Sequence, residues 1–281
     1  MKVSCVLVCF NQERYILEAL HSLACQTYDN IEIVISDDCS DDKTFQIITN
    51  YIKKSDNSFQ SRCVYVQSNI SNLGLTLNFE KAISKCTGEI VCIFAGDDIS
   101  KATRVERVVQ AFQSNKIIAY SSNVQCIDLK SNVLTGFDRK FISGEYCFDD
   151  FLSRFDTPAE LVFNGCAAAY RAVAITSLSN RPINTEDFTL YISSLLKGKV
   201  YLDGDRQVFY RIQNPFQATE LNGIIHRLVQ LDHLLSVMFT EGGDLKLTRQ
   251  VYSRRIIKEF LKSLLRLELR KAILFLLCLY L

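Results

Sequence analysis

The chain has 281 residues, of which 48% are hydrophobic and 22% charged, enough for one large globular domain or a domain with an appendage. Its formal net charge is only +1, so overall charge gives no indication of a nucleic-acid partner. The eleven cysteines include no CxxC pair, which gives no support to a zinc or dithiol motif, and no apolar run reaches the ~20 residues of a membrane span.

The first hundred residues alternate between strand-like and helix-like patterns. Runs rich in β-branched residues predict strands at 3–10, 31–36, 62–67 and 89–94, and apolar residues at helical spacing predict helices at 11–26, 41–54 and 75–86. Asn11 is a candidate cap for the first of these helices. This order is typical of a right-handed, mostly parallel α/β sheet flanked by helices. A further helix at 101–113, a strand at 117–124, a helix at 183–197 and a strand pair around 203–205 follow.

Two of the predicted strands end in a pair of aspartates, Asp37-Asp38 and Asp97-Asp98. In an open α/β sheet the carboxyl ends of the strands border the ligand crevice, so both pairs are expected at one edge. The alternative for the first pair is a polar turn that caps the next helix. Clustered carboxylates repel one another, and a hard cation such as Mg²⁺ or Mn²⁺, bound with substrate phosphates, would relieve that repulsion.

Four blocks of the sequence, taken in order, resemble the family 2 glycosyltransferases, which have the GT-A fold. The first block runs from Phe10-Asn11 through the Gln26-Thr27 helix end to Asp37–Asp41. The second comprises Asn72-Leu-Gly74, Gly88-Glu-Ile90 and Asp97-Asp98, and the last two are 185–187 and Tyr210-Arg211. The resemblance covers residues 1–215, which we interpret as a nucleotide-sugar glycosyltransferase domain.

The resemblance implies roles for particular residues. Phe10 would lie against the nucleotide base, Asp38 would accept a hydrogen bond from the base, and Asp98 would be the direct ligand of a Mg²⁺ or Mn²⁺ ion. The implied donor-binding set is Val8, Phe10, Asn11, Asp38, Asp97, Tyr210 and Arg211. The chain departs from the commonest family pattern at Ala95, where the first aspartate of an Asp-x-Asp-Asp motif would stand.

Asp187 is the candidate catalytic base, because the family match carries the base at its Glu-Asp pair. The alternative is structural, since acidic residues in the first turn of a helix complement the helix dipole. The stretch 161–171 likewise has two interpretations. It is either a backbone that approaches the donor sugar at Gly165 or the start of an alanine-rich helix.

From residue 216 the character of the chain changes. Residues 216–281 predict a C-terminal helical extension, in which 254–281 form a basic amphipathic helix with an apolar end. Such a helix is typical of a peripheral membrane contact. The alternative is a helix packed on the catalytic domain or in a homodimer. With cysteines in apolar runs and no typical signal peptide, we expect a cytoplasmic protein, or one peripheral on the inner face of the cell membrane.

The expected function is therefore inverting glycosyl transfer from a nucleotide-diphosphate sugar, with a UDP-sugar favoured, to a saccharide or lipid-linked acceptor in surface polysaccharide synthesis. One alternative is a sugar-phosphate nucleotidyltransferase, but the predicted loop after the first strand lacks the glycines of a phosphate-binding loop. Another is a non-catalytic protein that binds sugar nucleotides.

Overall fold

The computed structural model describes residues 1–135, 142–148, 150, 163–175 and 186–212. The described residues form nine strands: β1 (Val3–Cys9), β2 (Ile31–Asp37), β3 (Cys63–Ser68), β4 (Ile90–Ala95), β5 (Ile99–Ser100), β6 (Ile117–Ile127), β7 (Gly144–Tyr146), β8 (Ala169–Arg171) and β9 (Lys199–Arg211). They also form six α-helices: α1 (Ile16–Ala24), α2 (Thr44–Lys54), α3 (Asn57–Arg62), α4 (Leu75–Ile83), α5 (Arg104–Ala111) and α6 (Glu186–Lys197). Two short 3₁₀ turns, Gly165–Ala167 and Ala172–Ala174, flank β8.

All nine strands belong to one mixed sheet with the order β3-β2-β1-β4-β8-β6-β9-β5, and β7 pairs with β9. The first four strands are parallel, as the sequence predicted. β8 then runs antiparallel to both β4 and β6, and β9 returns parallel to β6. This architecture confirms the α/β class with flanking helices, and it shows that the second half of the sheet mixes strand directions.

The central strands are covered on both faces, which explains their almost continuous apolar sequence. Every residue of β1 and β2 is buried, as expected for parallel strands between two helical layers. Alternate residues of β1 and β2, such as Leu7 and Ile35, pack with α1, α2 and α5 in the main core. The intervening residues face the other layer, where Ser36 donates a hydrogen bond to Asn78 of α4 at 2.6 Å. Strand alternation thus assigns each side chain to one layer.

A bulge interrupts β9 where the sequence predicted a pair of strands. Residues 199–211 form one continuous strand, and its pairing with β6 jumps from Ser122–Asp203 to Asn123–Arg206, so Gly204 and Asp205 bulge out. Asp203 is buried, accepts a hydrogen bond from the Tyr120 hydroxyl at 2.8 Å and forms an ion pair with Arg107 at 2.9 Å. These contacts hold Asp203 inside the sheet. Because residues 199–211 form one bulged strand, the prediction of a strand pair was wrong.

Several predicted boundaries also differ from the structure. The first helix begins at Ile16, and no side chain caps it, so Asn11 is not its cap. Residues 161–171 do not form a helix where they are described, because the 3₁₀ turn at 165–167 leads into β8. Within the described ranges, no helix is long and apolar enough to cross a membrane. The predicted extension at 216–281 lies outside the described residues, so the domain boundary and the extension stay predictions.

Candidate active site

A cavity of about 580 Å³ lies at the carboxyl ends of β1 and β4. Seven of the nine residues that the sequence predicted for the site line this cavity: Val8, Phe10, Asp38, Asp97, Asp98, Asp187 and Tyr210. The other two, Asn11 and Arg211, are not among the lining residues. Strand ends therefore bring together side chains that are up to about 200 positions apart in the sequence.

Part of the cavity lining is apolar and is formed by Val8, Phe10, Leu75 and Phe79, here called the apolar slot. Phe10 follows β1 directly and keeps 44% of its surface exposed. Leu75 and Phe79 of α4 line the same cavity, and Val8 contributes a buried side chain. An exposed aromatic ring beside aliphatic side chains can pack against a planar, partly apolar ligand group such as a nucleotide base.

The two aspartates of the first pair, Asp37 and Asp38, have different roles. Asp37 is fully buried, and its carboxylate accepts hydrogen bonds from Ser40 N–H at 3.0 Å and the Ser68 hydroxyl at 2.6 Å. Asp37 therefore fixes the loop that follows β2. Asp38 lines the cavity, but it also accepts hydrogen bonds from the backbone N–H groups of Leu73 and Gly74 at 2.9 and 2.8 Å. Asp38 thereby holds the loop between β3 and α4 beside the apolar slot.

Asn11 locks the loops after β1 and β2 together. Its backbone lies in the left-handed region (φ 52°), where asparagine is one of the few tolerated residues. Its N–H donates to Ser40 Oγ at 2.9 Å, and its side-chain oxygen accepts from the N–H of Asp41 at 3.0 Å. These contacts give Asn11 a structural task, and the predicted donor contact of Asn11 stays a prediction that this geometry does not support.

The second aspartate pair forms the acidic end of the cavity. Asp98 is 5% exposed, and burial, reinforced by the neighbouring charge of Asp97, raises the pKa of Asp98 to about 7. A hydrogen bond from the Arg211 N–H at 2.9 Å and another from the Cys166 thiol act in the opposite direction. A buried carboxylate with a raised pKa beside a second, partly buried carboxylate is typical of a site that a cation would complete.

Arg211 holds the backbone and side chain of the acidic pair in place. Its Nε donates to the Asp97 carbonyl at 2.8 Å, one Nη donates to the Asp128 carbonyl at 2.9 Å, and the other contacts Glu18 at 2.8 Å. The guanidinium carbon also lies 4.4 Å from the ring centroid of Tyr15. All three guanidinium nitrogens are engaged, so the geometry does not support the predicted donor contact of Arg211, which stays a prediction.

Tyr210 points the other way and lines the cavity. Its side chain is 43% exposed, and burial of the hydroxyl, together with nearby Cys166 and Asp98, raises the pKa of Tyr210 to about 12. The phenol therefore keeps its proton at neutral pH and can donate a hydrogen bond to an anionic ligand group.

Asp187 lies in the first turn of α6, lines the cavity and packs directly on Gly165. A Cβ added at residue 165 would lie 2.7 Å from the Asp187 Cβ and 3.0 Å from its Oδ2. Only glycine therefore allows this approach. The turn 165–167 thus gives Asp187 its place in the cavity, and Cys166 in the same turn lies against Asp98. A single turn connects the two acidic groups of the site.

Residues 4–178 match the profile of Glycosyl transferase family 2. The chain belongs to this family. Among curated proteins, an uncharacterized glycosyltransferase of Nostoc sp. (strain PCC 7120) is 30% identical over 128 residues, which are 46% of this chain and 38% of the relative. The chain spans about two fifths of the length of several curated relatives that it matches.

Solved structures share the family 2 fold of this chain. The crystal structure of S. aureus TarS 1–349 in complex with UDP-GlcNAc superposes with a TM-score of 0.64 at 17% identity, covering 90% of this chain and 71% of that one. The mannosyltransferase PcManGT from Pyrobaculum calidifontis, in complex with GDP-Man and Mn²⁺, superposes with a TM-score of 0.59 at 16% identity, covering 90% and 68%. At these identities the likeness confirms the GT-A architecture.

The acidic end of the cavity fits a divalent cation in this family 2 protein. Asp98 offers a carboxylate whose ionised form is disfavoured by burial, and Asp97 adds a second oxygen donor. Among the residues that the structure describes, no cluster of three or more His, Cys, Asp or Glu side chains is arranged to hold a metal. The two carboxylates of Asp97 and Asp98 are a donor set of the kind that Mg²⁺ or Mn²⁺ takes, since these ions bind one or two carboxylates and complete their shell with phosphate and water.

Sequence reasoning missed several residues that shape the site. Arg104 is fully buried and donates to the Ile93 carbonyl at 2.6 Å and the Ala168 carbonyl at 3.4 Å, which joins β4 to the turn beside Asp98. Gln12 lines the cavity as well. The sequence carried no signal for Arg104, which looks like an ordinary charged residue of a helix. Gln12 lies between Asn11 and the first helix, and only its closeness to Phe10 could have indicated it.

Proposed function

We propose that this protein is an inverting, divalent-metal-dependent glycosyltransferase that moves a sugar from a UDP-sugar to a hydroxyl of a saccharide or lipid-linked acceptor in surface polysaccharide synthesis. The observation that carries the proposal is the composition of one cavity. It combines an aromatic slot at Phe10 and Asp38, an acidic pair at Asp97–Asp98 and a separate carboxylate at Asp187. These three parts match the base, the diphosphate and the reacting hydroxyl of such a reaction.

The donor would extend from the slot to the acidic pair. Phe10 would stack on the base, and Asp38, which still has acceptor capacity on Oδ2, would accept a hydrogen bond from a base N–H. A divalent cation held by Asp98 would neutralise the charge that develops on the leaving diphosphate. The Tyr210 hydroxyl, protonated at neutral pH, would donate to a phosphate oxygen. The solved TarS complexes with UDP and UDP-GlcNAc support the preference for UDP.

Asp187 would act as the general base. It would accept the proton of the acceptor hydroxyl while that oxygen attacks the anomeric carbon and the bond to the diphosphate breaks. Attack from the side opposite the leaving group inverts the configuration. No side chain needs to bind the sugar covalently. The first turn of α6 favours the ionised carboxylate that this role requires.

The loop after β1 argues against a sugar-phosphate nucleotidyltransferase. Such an enzyme binds phosphates with free backbone N–H groups in this loop. Here the N–H groups of Asn11, Gln12 and Glu13 donate to the side chains of residues 40, 44 and 42 at 2.9, 2.8 and 3.0 Å. A phosphate would find these donors already occupied.

The experiment is an acceptor-independent donor turnover assay. The purified protein is incubated with Mn²⁺ and a panel of UDP-sugars and GDP-mannose, and release of the nucleoside diphosphate is measured while NMR records which anomer of the free sugar appears first. We expect UDP release with the inverted anomer first. Asp187→Asn should lower the rate at least 100-fold, while Asp29→Asn, a matched change at a residue whose side chain is 96% exposed, should not.

Release of the retained anomer would contradict single displacement. An unchanged rate in Asp187→Asn would contradict the general base. Absence of turnover with every donor, by a protein that binds UDP, would instead favour a non-catalytic sugar-nucleotide-binding protein.

A further inference from the structure

Gln12 has a firmly held backbone and a side chain that lines the cavity. Its N–H donates to Thr44 Oγ1 at 2.8 Å, and its carbonyl accepts from the N–H groups of Tyr15 and Ile16, each at 2.9 Å. The main chain is therefore anchored both to α2 and to the start of α1. Any movement of the residue is confined to its side chain.

The carboxamide of Gln12 lacks the partners that a buried amide normally has. In the part of the chain that the structure describes, its Oε1 is buried and accepts no hydrogen bond. The oxygen occupies the space that a side chain at Gly96 would fill, next to apolar atoms of Cys9 and Ile16. A buried amide oxygen without a donor is unfavourable, because it has given up its hydrogen bonds to water and gained none in the protein. The terminal torsion of glutamine is soft, so the amide can turn into the cavity without moving the backbone.

The neighbours of Gln12 define which part of a donor it would meet. The Gln12 amide oxygen and Cys9 both lie against Gly96. Cys9 directly precedes Phe10 at the apolar slot, and Gly96 directly precedes Asp97 at the acidic end. The part of a nucleoside diphosphate that connects the base to the phosphates is the ribose. A ribose hydroxyl both donates and accepts, so it can pair with either end of the amide.

We propose that the Gln12 carboxamide binds a ribose hydroxyl of the donor nucleotide. This inference rests on the proposed function, because it requires a nucleoside diphosphate in the cavity. It assigns a task to a residue whose buried side-chain oxygen accepts no hydrogen bond among the described residues. A side chain that hydrogen-bonds only to the ligand contributes to the binding affinity and not to the stability of the fold. A structural side chain contributes to stability, so measurements of affinity and of stability distinguish the two roles.

The test is a calorimetric comparison of UDP, 2′-deoxy-UDP and 3′-deoxy-UDP, each with Mn²⁺, on the wild-type protein and on Gln12→Met. Met has a similar volume and no amide. One neutral hydrogen bond corresponds to about a 3- to 10-fold change in affinity. We expect one of the deoxy nucleotides to bind the wild-type protein 3- to 10-fold more weakly than UDP. Gln12→Met should bind UDP with that same loss and show no further loss with the deoxy nucleotide.

The control is Gln46→Met, a matched change at an exposed position of α2 away from the cavity, which should leave all three affinities unchanged. The melting temperature of Gln12→Met should equal or exceed that of the wild-type protein, whereas a structural glutamine would lower it. If both deoxy nucleotides bind the wild-type protein within twofold of UDP, the inference is wrong whatever the variant does. If Gln12→Met keeps the full discrimination, the inference is also wrong, while the proposed function stands. Failure of the folded wild-type protein to bind UDP would overturn both.

Discussion

Replacing Glu32 with glutamine should destabilise the protein in a pH-dependent way. Glu32 is buried at the amino ends of the central strands, on the edge of the sheet opposite the cavity. Its carboxylate accepts hydrogen bonds from Ser4 Oγ at 2.5 Å, from the Thr87 N–H and hydroxyl at 2.5 and 2.6 Å and from the Gly88 N–H at 3.2 Å, and it forms an ion pair with Lys2 at 2.5 Å. The side-chain NH₂ group of glutamine would face the hydrogen-bond donors of Ser4, Thr87 and Gly88, so some of these donors would lose their acceptor.

The magnitude follows from the pKa of Glu32. Burial alone would raise this pKa, but the hydrogen bonds from Lys2, Ser4 and Thr87 lower it from 4.5 to about 2. A shift of this size corresponds to about 3 kcal/mol of stability, which we reduce to about 2–3 kcal/mol because Lys2 is partly exposed to solvent. Because the folded-state pKa is lowered, the stabilisation is complete above pH 4.5 and is lost as the pH falls toward 2.

The assay is urea unfolding followed by circular dichroism at pH 7 and pH 3.5. We expect Glu32→Gln to lower the free energy of unfolding by about 2–3 kcal/mol at pH 7, and the difference from wild type to shrink by about 1 kcal/mol at pH 3.5. The control Glu89→Gln, an exposed position nearby, should change the free energy by less than about 0.5 kcal/mol. A loss below 1 kcal/mol at pH 7, or a difference that does not depend on pH, would refute the reasoning.

Three further variants test the contacts around the cavity. Gly165→Ala should displace the Asp187 carboxylate, because the added Cβ would overlap it, and donor turnover should fall at least 10-fold while UDP affinity changes less than twofold; unchanged turnover would contradict the contact. Arg104→Met should lose two buried charged hydrogen bonds to backbone carbonyls and lower the free energy of unfolding by about 2–4 kcal/mol in urea titrations, and a loss below 1 kcal/mol would count against this role. Asp38→Asn should weaken UDP binding at least 5-fold in calorimetry, since its amide nitrogen would face the backbone donors of the loop before α4; equal affinity would contradict that prediction.

The parts of the fold that the sequence predicted are those set by short-range patterns. Runs of β-branched residues identified β1, β2 and β4, because strands buried on both faces tolerate few polar residues. The aspartates that end β2 and β4 could then be assigned to one edge of the sheet, since neighbouring parallel strands end on the same side. Both Asp38 and Asp98 line the cavity for this reason.

The sequence could not predict features that depend on partners far away along the chain. The resemblance implied that Arg211 contacts the donor, but its guanidinium is held by Glu18, 193 positions away, and by carbonyl groups of two loops. At the β9 bulge, the buried Asp203 forms an ion pair with Arg107, a partly exposed residue 96 positions earlier in the chain. In the sequence, each of these charged side chains could equally lie on the surface, in a ligand site or in an internal hydrogen-bond network. The location depends on which distant residues become its neighbours, and this is known only from the folded structure.

The most direct test of the account is a calorimetric titration of UDP into the purified protein with Mn²⁺ or with EDTA, repeated with GDP and with Asp98→Asn. The central claim is that a single cavity binds the base at Phe10 and a metal-bound diphosphate at Asp98. It predicts that UDP binds with Mn²⁺, at least 10-fold more weakly with EDTA or in Asp98→Asn, and more tightly than GDP. Equal UDP affinity with and without metal, and in the variant, would contradict the metal-bound diphosphate, and no binding by the folded protein would contradict the site itself.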